Sequence, residues 1–124
     1  MTTLLSHFLR CPGVSGLYRR EWGVAYRFHP VGQGMLHSGE LRHGRRQPFT
    51  WIYDCGSTTA SKQVESELDD LRAARNPPSE LKPIRDVVEL SDVDNDHVSG
   101  LVYLLGLFEV KMILRPFLGR QPRR

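Results

Sequence analysis

The spacing of hydrophobic residues changes part-way along this chain, and that change constrains the fold more than any other feature. From Trp22 to Phe28, large apolar residues alternate with small or polar ones, which is the period of a strand with one buried face. Two further strands are predicted at Met35 to Arg42 and Phe49 to Tyr53, and Val31-Gly32-Gln33-Gly34 forms the turn before the first of them. Asp54-Cys55-Gly56-Ser57 is expected to end the third strand in a turn. Three consecutive strands with short connections predict an antiparallel meander.

The period becomes helical downstream of Cys55. Val64, Leu68 and Leu71 lie at helical spacing. The predicted helix ends at Asn76-Pro77-Pro78, because a proline disfavours helical backbone in the residue before it. The other faces of this helix are expected to carry its charged residues, Lys62, Glu65, Glu67, Asp69, Asp70 and Arg72. The segment is therefore predicted to be an amphipathic helix on the surface.

The last third of the chain predicts a strand, a helix and a strand. A short apolar run from Ile84 to Leu90 indicates an inner strand, and a largely buried helix is expected to begin at about His97. Val110 to Leu114 is the final strand, which Pro116 stops. The complete order of three strands, helix, strand, helix and strand predicts an α/β (α+β) fold.

The bulk properties indicate a single globular unit. The 124 residues are 40% hydrophobic and 25% charged, which is an ordinary balance for one domain. We expect a domain at residues 22–118, a poorly defined segment at residues 1–21 and a frayed basic tail at residues 119–124. The two cysteines form no C-x-x-C pair, the N-terminal apolar run is broken by Ser6 and His7, and no stretch approaches the ~20 apolar residues of a membrane span. A cytoplasmic chain without membrane association is predicted.

Basic residues gather in three places although the formal net charge is only +3. They are Arg19-Arg20, the stretch Arg42 to Arg46, and the tail Arg115 to Arg124. Such clusters can contact phosphates, but solvated loops carry charge as well. No basic stripe interleaved with aromatic residues accompanies them, so nucleic-acid binding by these clusters alone is the less favoured interpretation.

Chemistry concentrates in the segment Asp92-Val93-Asp94-Asn95-Asp96-His97, which places four potential metal ligands within six residues at a strand-to-helix junction. Carboxylates this close repel one another, and a cation cancels that repulsion. The alternative is an acidic helix start that complements the helix dipole, which explains one or two of the acids more easily than all of them. A calcium loop is excluded, because its required sixth-position Gly and twelfth-position Glu are here His97 and Tyr103.

The acidic segment resembles the His-x-His-x-Asp-His signature of the metallo-β-lactamase superfamily, which follows a buried strand and precedes a buried helix. Asp92 and Asp94 stand at the two leading His positions, and Asp96 and His97 match the last two. The Gly-Gln-Gly turn and the Asp-Cys-Gly segment are similar to the family's N-terminal hairpin and Asp-x-Gly loop. The resemblance covers roughly Trp22 to Leu118, and its nearest branch is the hydrolase domains of DNA-uptake proteins and bacterial defence-associated relatives. It implies the N-terminal half of an αββα sandwich.

The resemblance also implies roles for individual residues. Asp94 would belong to a first metal site with Asp92 beside it, Asp96 and His97 would serve a second, and Asp96 takes the catalytic position. Asp54 would support the metal loop by accepting hydrogen bonds. The implied activity is metal-dependent hydrolysis of a phosphodiester or another ester, with a nucleic acid or nucleotide as substrate. Zinc is the family's metal, and the carboxylate at Asp92 shifts the preference toward manganese or magnesium.

The chain lacks the residues that would complete such a site. No His, Asp or Cys follows His97, and Glu109 is the only acidic residue there. We therefore expect this chain alone to be inactive, and its apolar sheet face and open strand edge to favour self-association or a complementary polypeptide. The alternative is a non-catalytic interaction or scaffold module, or a truncated product, that binds a partner.

The sequence indicates no second catalytic or metal site outside the acidic segment. His29 and His37 lie on either side of the Gly-Gln-Gly turn and are expected to be surface or core residues. Cys55 is expected to be a small packing residue. The sequence shows no Ser-His-Asp pattern.

Overall fold

A six-stranded sheet with helices packed on one face forms the core of the computed structural model, which describes residues 5–7 and 22–117. Its elements are β1 (Leu5–His7), β2 (Trp22–Phe28), β3 (Gly34–His43), β4 (Phe49–Ser57), α1 (Ser61–Ala73), β5 (Ile84–Glu89), α2 (Asn95–Val98), α3 (Leu101–Leu107) and β6 (Glu109–Leu114). The strands are ordered β1-β2-β3-β4-β5-β6. The mixed α/β class predicted from the sequence is confirmed.

The sheet is antiparallel in its first half and parallel in its second. Strands β2, β3 and β4 form the predicted meander, and the unpredicted strand β1 pairs antiparallel with β2. The pairs β4–β5 and β5–β6 are parallel, and helices supply the crossover connections that parallel pairs need. The Tyr103 hydroxyl of α3 donates to Asp69 of α1 at 2.9 Å, so both crossovers place their helices on the same face.

The hydrophobic core lies between the sheet and helices α1 and α3. The buried apolar residues are Val31, Leu36, Ile52, Cys55, Val64, Leu68, Val88, Leu90, Leu104 and Phe108. They come from both helices and from strands β3, β4 and β5, so the core ties the antiparallel half of the sheet to the parallel half.

The opposite face of the sheet carries several large apolar side chains, and none of the described helices packs over them. Register alignment places Tyr26, Gly39, Trp51, Val87 and Met112 side by side across five strands. Trp22, Phe28, Phe49, Met112 and Leu114 are exposed large hydrophobic residues. We call this surface the open face; it leaves the described domain with an uncovered apolar surface.

Helix α1 lies at its predicted position in the chain, but one residue predicted to face solvent is buried. Its buried residues are Val64, Glu67 and Leu68, so the expectation of a solvent-exposed Glu67 is wrong. Glu67 lies three residues after Val64 and four before Leu71, which places it on the inner stripe of the helix. Its carboxylate finds polar partners there, as described below.

The second predicted helix is divided in two, and its predicted burial is wrong. Helix α2 ends at Val98, the Gly100 N–H donates to the Cys55 carbonyl at 2.8 Å, and α3 then begins at Leu101. A side chain at Gly100 would lie 2.6 Å from Val64 Cγ1, so close packing against β4 and α1 requires glycine at the break. Only Leu104 of α3 is fully buried, whereas Val102 is 82% exposed. The helix contacts the core along one side.

Within the described residues, no helix has the length and apolar character needed to cross a membrane.

Candidate functional site

A β-bulge on strand β4 places Asp54 at the centre of the candidate site. The register with β3 runs His37↔Tyr53 and then Leu36↔Cys55, so Asp54 is the extra residue on its strand. Its φ of 54° lies in the left-handed region, which aspartate tolerates better than most residues. The predicted turn at this position is therefore wrong, because β4 continues through the bulge to Ser57.

The Asp54 carboxylate is fully buried and accepts hydrogen bonds from the loop that follows β5. The Ser91 backbone N–H donates to Oδ1 at 2.7 Å, and the Ser91 hydroxyl donates to Oδ2. His97 Nδ1 lies 2.8 Å from the same Oδ2. One side chain on β4 thus fixes both ends of the acidic loop, residues 91–97.

His97 is held so that its second ring nitrogen faces a carboxylate. With Nδ1 bonded to Asp54, Nε2 lies 3.3 Å from Asp96 Oδ2, and the imidazole remains partly accessible. The hydrogen bond to Asp54 raises the pKa of His97 above its ordinary value, and the negative charges of Asp54, Asp96 and Asp92 act in the same direction. A carboxylate that fixes one nitrogen of an imidazole and leaves the other facing outward is the usual support of a metal-binding histidine.

Helix α2, which carries Asp96 and His97, is held in place by close backbone contact with strand β4 at Gly56. A Cβ added at Gly56 would lie 2.6 Å from the Asn95 carbonyl oxygen, 2.7 Å from the Val98 nitrogen and 2.8 Å from the Asp96 carbonyl carbon. Ser99 adds a second attachment, since its hydroxyl accepts from the Ser57 N–H at 2.9 Å and donates to the Ser57 carbonyl at 3.1 Å. The Asp-Cys-Gly segment therefore sets where the acidic loop can lie.

The structure brings together some of the predicted site residues and not others. Asp54, Asp96 and His97 converge, whereas Asp92 and Asp94 are exposed. Asp92 Oδ1 accepts from the following backbone N–H of Val93 at 2.6 Å, and the Asp94 side chain makes no capping hydrogen bond at the start of α2. Among the described residues, no group of three or more His, Cys, Asp or Glu side chains has a metal-binding arrangement. The four ligand assignments stay predictions.

A second polar cluster was missed at the sequence level. His29 Nε2 lies 2.8 Å from Ser38 Oγ, and His29 Nδ1 lies 2.7 Å from Glu67 Oε2. All three residues are buried, and Arg27 adds an ion pair to Glu67 at 3.3 Å. The helical spacing of Glu67 was the available signal, but no sequence pattern connects it to His29.

The Ser38–His29–Glu67 cluster has the connectivity of a nucleophilic serine triad but the environment of a structural network. With its proton on Nδ1, His29 donates a hydrogen bond to Glu67, and its Nε2 accepts one from the Ser38 hydroxyl. Burial lowers the pKa of His29, and its hydrogen bond to Glu67 opposes that effect without reversing it. A neutral histidine that satisfies two buried partners stabilises the contact between α1 and the β2–β3 hairpin.

Protonation of His29 is expected to destabilise the fold in acid. Because the folded-state pKa lies below the ordinary 6.5, the unfolded chain binds the proton more tightly, and the stabilisation present above about pH 6.5 is lost as pH falls toward the folded pKa. Chemical denaturation of the native chain and of His29→Gln across this range measures the effect. The stability advantage of the native chain should shrink as pH falls, and an advantage that is constant or grows would contradict the assignment.

The resemblance to the metallo-β-lactamase superfamily also stays a prediction. What the structure contributes is the geometry: a bulge aspartate on β4, an imidazole oriented by it, and an acidic neighbour on the short helix α2 that follows the parallel strand β5. Comparison of the chain with protein-family models, with curated proteins and with solved structures finds no match.

Proposed function

We propose that this chain supplies one half of the active site of a metal-dependent hydrolase acting on a phosphodiester of a nucleic acid or nucleotide, or on another ester. The observation that carries the proposal is the oriented imidazole of His97. Its Nδ1 is fixed by a buried carboxylate and its Nε2 faces Asp96. A histidine at the start of an acidic helix that only complemented the dipole would need no buried aspartate behind it.

The donor set fits one end of a metal site. Asp96 and His97 would hold the cation, and Asp94, whose side chain is exposed and makes no capping bond, is free to join them. Asp92 fits less well because its Oδ1 is already bonded to the Val93 N–H. A divalent cation would supply Lewis-acid activation of water and of the ester oxygen. The carboxylate-rich set favours manganese or magnesium over zinc more than a histidine-rich set would.

The open face supports the view that the sheet is half of an αββα sandwich. Helices cover one face, while Trp22 at 49%, Phe28 at 64% and Met112 at 53% exposure lie on the uncovered one. A second sheet packed there would bury these residues and bring further ligands toward Asp96 and His97. We propose that a complementary polypeptide, or a second copy of the chain, occupies this face.

Metal binding to the purified chain tests the proposal. Titration with Mn²⁺ and Zn²⁺, followed by calorimetry and by the His97 imidazole resonances, should show weak saturable binding that an Asp96→Ala, His97→Ala variant loses. The matched control is Asp70→Ala, His43→Ala, which removes the same two residue types at remote positions. Binding that survives in the first variant, or that disappears equally in the control, would contradict the proposal.

A second candidate is a non-catalytic interaction module, and the same open face favours it. If the chain binds no metal but self-associates through that face in sedimentation experiments, the scaffold interpretation replaces the enzymatic one. Metal binding that depends on Asp96 and His97 would instead favour the hydrolase, whatever the association state.

A further inference from the structure

A cavity of about 450 Å³ lies between strands β2 and β3 and the C-terminal part of helix α1. It is distinct from the acidic loop. Arg85, at the start of β5, lines it, whereas Ser91 follows the other end of that strand, so the two regions are about 20 Å apart along the sheet. Its volume falls within the range of small-molecule sites.

Arg85 is a buried cation that no carboxylate among the described residues contacts directly, although the negative charges of Glu40 and Asp86 act on it from beyond ion-pair distance. The residue is 3% exposed, its Nε has no hydrogen-bond partner, and within residues 22–117 it forms no ion pair. Its guanidinium carbon lies 4.8 Å from the centre of the Phe108 ring, which offers only a cation–π contact. Burial, followed by the charge of Arg75, lowers the pKa of Arg85 to about 10, so the group still carries its charge at neutral pH. A buried charge normally has a partner, because leaving it unpaired costs several kcal/mol.

The cavity walls contain more positive than negative charge. Four arginines line it, Arg27, Arg42, Arg75 and Arg85. Glu40 is shared by Arg42 at 2.6 Å and Arg75 at 3.1 Å, and Glu67 pairs with Arg27 at 3.3 Å. Glu40 is the only carboxylate among these lining residues, and Asp86, whose charge also acts on Arg85, is paired with Lys111 at 3.2 Å. Arg27 Nε, like Arg85 Nε, is buried without a partner among the described residues. The cavity lining therefore carries a net positive charge, which favours an anionic ligand.

We propose that this cavity binds a phosphate monoester of a small molecule. A phosphate monoester carries close to two negative charges at neutral pH and three strong acceptor oxygens. A guanidinium group donates two parallel hydrogen bonds to a pair of such oxygens. The three oxygens of a phosphate can therefore accept from more than one arginine, whereas a single carboxylate has only two oxygens. The phosphate would lie against Arg85 and Arg75, and the organic part would occupy the remainder of the cavity beside the apolar side chain of Leu71.

Thermal unfolding at constant ionic strength tests the assignment, with orthophosphate, AMP and succinate as probes. Phosphate and AMP should raise the Tm of the native chain by about 5 °C when well above their Kd, and succinate should raise it less. Arg85→Met and Arg75→Gln should lose this rise and weaken AMP binding in calorimetry by about tenfold or more. The control Arg46→Gln removes an exposed arginine of the β3–β4 hairpin and should behave as the native chain does.

The unliganded stability of Arg85→Met separates a ligand site from a structural role. If the role of Arg85 is to bind an anionic ligand, removing its buried charge should leave the Tm of the unliganded protein unchanged or higher. A lower Tm for that variant, together with no response of the native chain to phosphate or AMP, would overturn the proposal. Stronger stabilisation by succinate than by AMP would overturn the choice of phosphate.

Discussion

Replacing Asp54 with alanine should lower the free energy of unfolding by about 3 kcal/mol. The carboxylate is fully buried and accepts from the Ser91 N–H, the Ser91 hydroxyl and His97 Nδ1. Alanine leaves these groups without an acceptor and also places a methyl group at a φ of 54°, where aspartate is better tolerated. Denaturant unfolding of the two proteins measures the loss.

The loss at Asp54 should also depend on pH in a defined direction. The bond to Asp54 raises the folded-state pKa of His97, so the stabilisation it provides is complete below about pH 6.5 and is lost as pH rises through that folded pKa. The difference between native chain and Asp54→Ala should therefore be larger at about pH 5.5 than at about pH 8. Proton NMR titration of His97 in the presence of a chelator should give a lower pKa in the variant.

Asp54→Asn is the matched control for this prediction. Asparagine has nearly the same shape and also tolerates the left-handed region, so it should cost less than alanine while still lowering the His97 pKa. An alanine variant as stable as the native chain, or a His97 pKa that does not change in either variant, would show that the network does not hold the loop.

Gly56→Ala should be comparably destabilising, by about 3 kcal/mol, although it adds only one methyl group. That methyl would lie within 2.8 Å of three backbone atoms of helix α2, which cannot rotate away as a side-chain end can. The helix must move off strand β4, and Asp96 and His97 move with it. Denaturant unfolding and the His97 resonances should therefore change together.

Gly106→Ala provides the comparison for Gly56→Ala. Outside its own helix backbone and chain neighbours, no described atom lies within 4 Å of a Cβ at Gly106, which is in helix α3. Alanine should therefore stabilise the chain by about 0.5–1 kcal/mol through its better helix propensity. Equal effects at both glycines would mean that backbone freedom, not close approach, determines the cost at Gly56.

Local patterns predicted most of the elements, because their signals are contained in a few consecutive residues. The alternation from Trp22 to Phe28 and the helical spacing of Val64 and Leu68 both correspond to observed elements. Strand β1 was missed since its three residues are too few to show a period. The break at Gly100 was missed because its cause is a contact with Val64 and Cys55, far away in the sequence.

The candidate site was predictable in composition but not in geometry. Asp54, Asp96 and His97 could be selected as residue types at the ends of predicted elements. The bulge that aims Asp54 depends on a one-residue change of register with β3, which no local pattern encodes. For the same reason Glu67, His29 and the unpaired Arg85 become recognisable only when separate strands and a helix meet.

The division of the sheet into an antiparallel and a parallel half has a consequence for folding. Hairpins β2–β3 and β3–β4 join neighbours in sequence and close short loops, whereas β4–β5 must wait for a helical crossover, so the first half should form sooner. Asp54 belongs to the early half and His97 to the late one. Pairing of these two side chains therefore requires the later half to dock on the earlier one, and the ring signals of that histidine would report when the two halves meet.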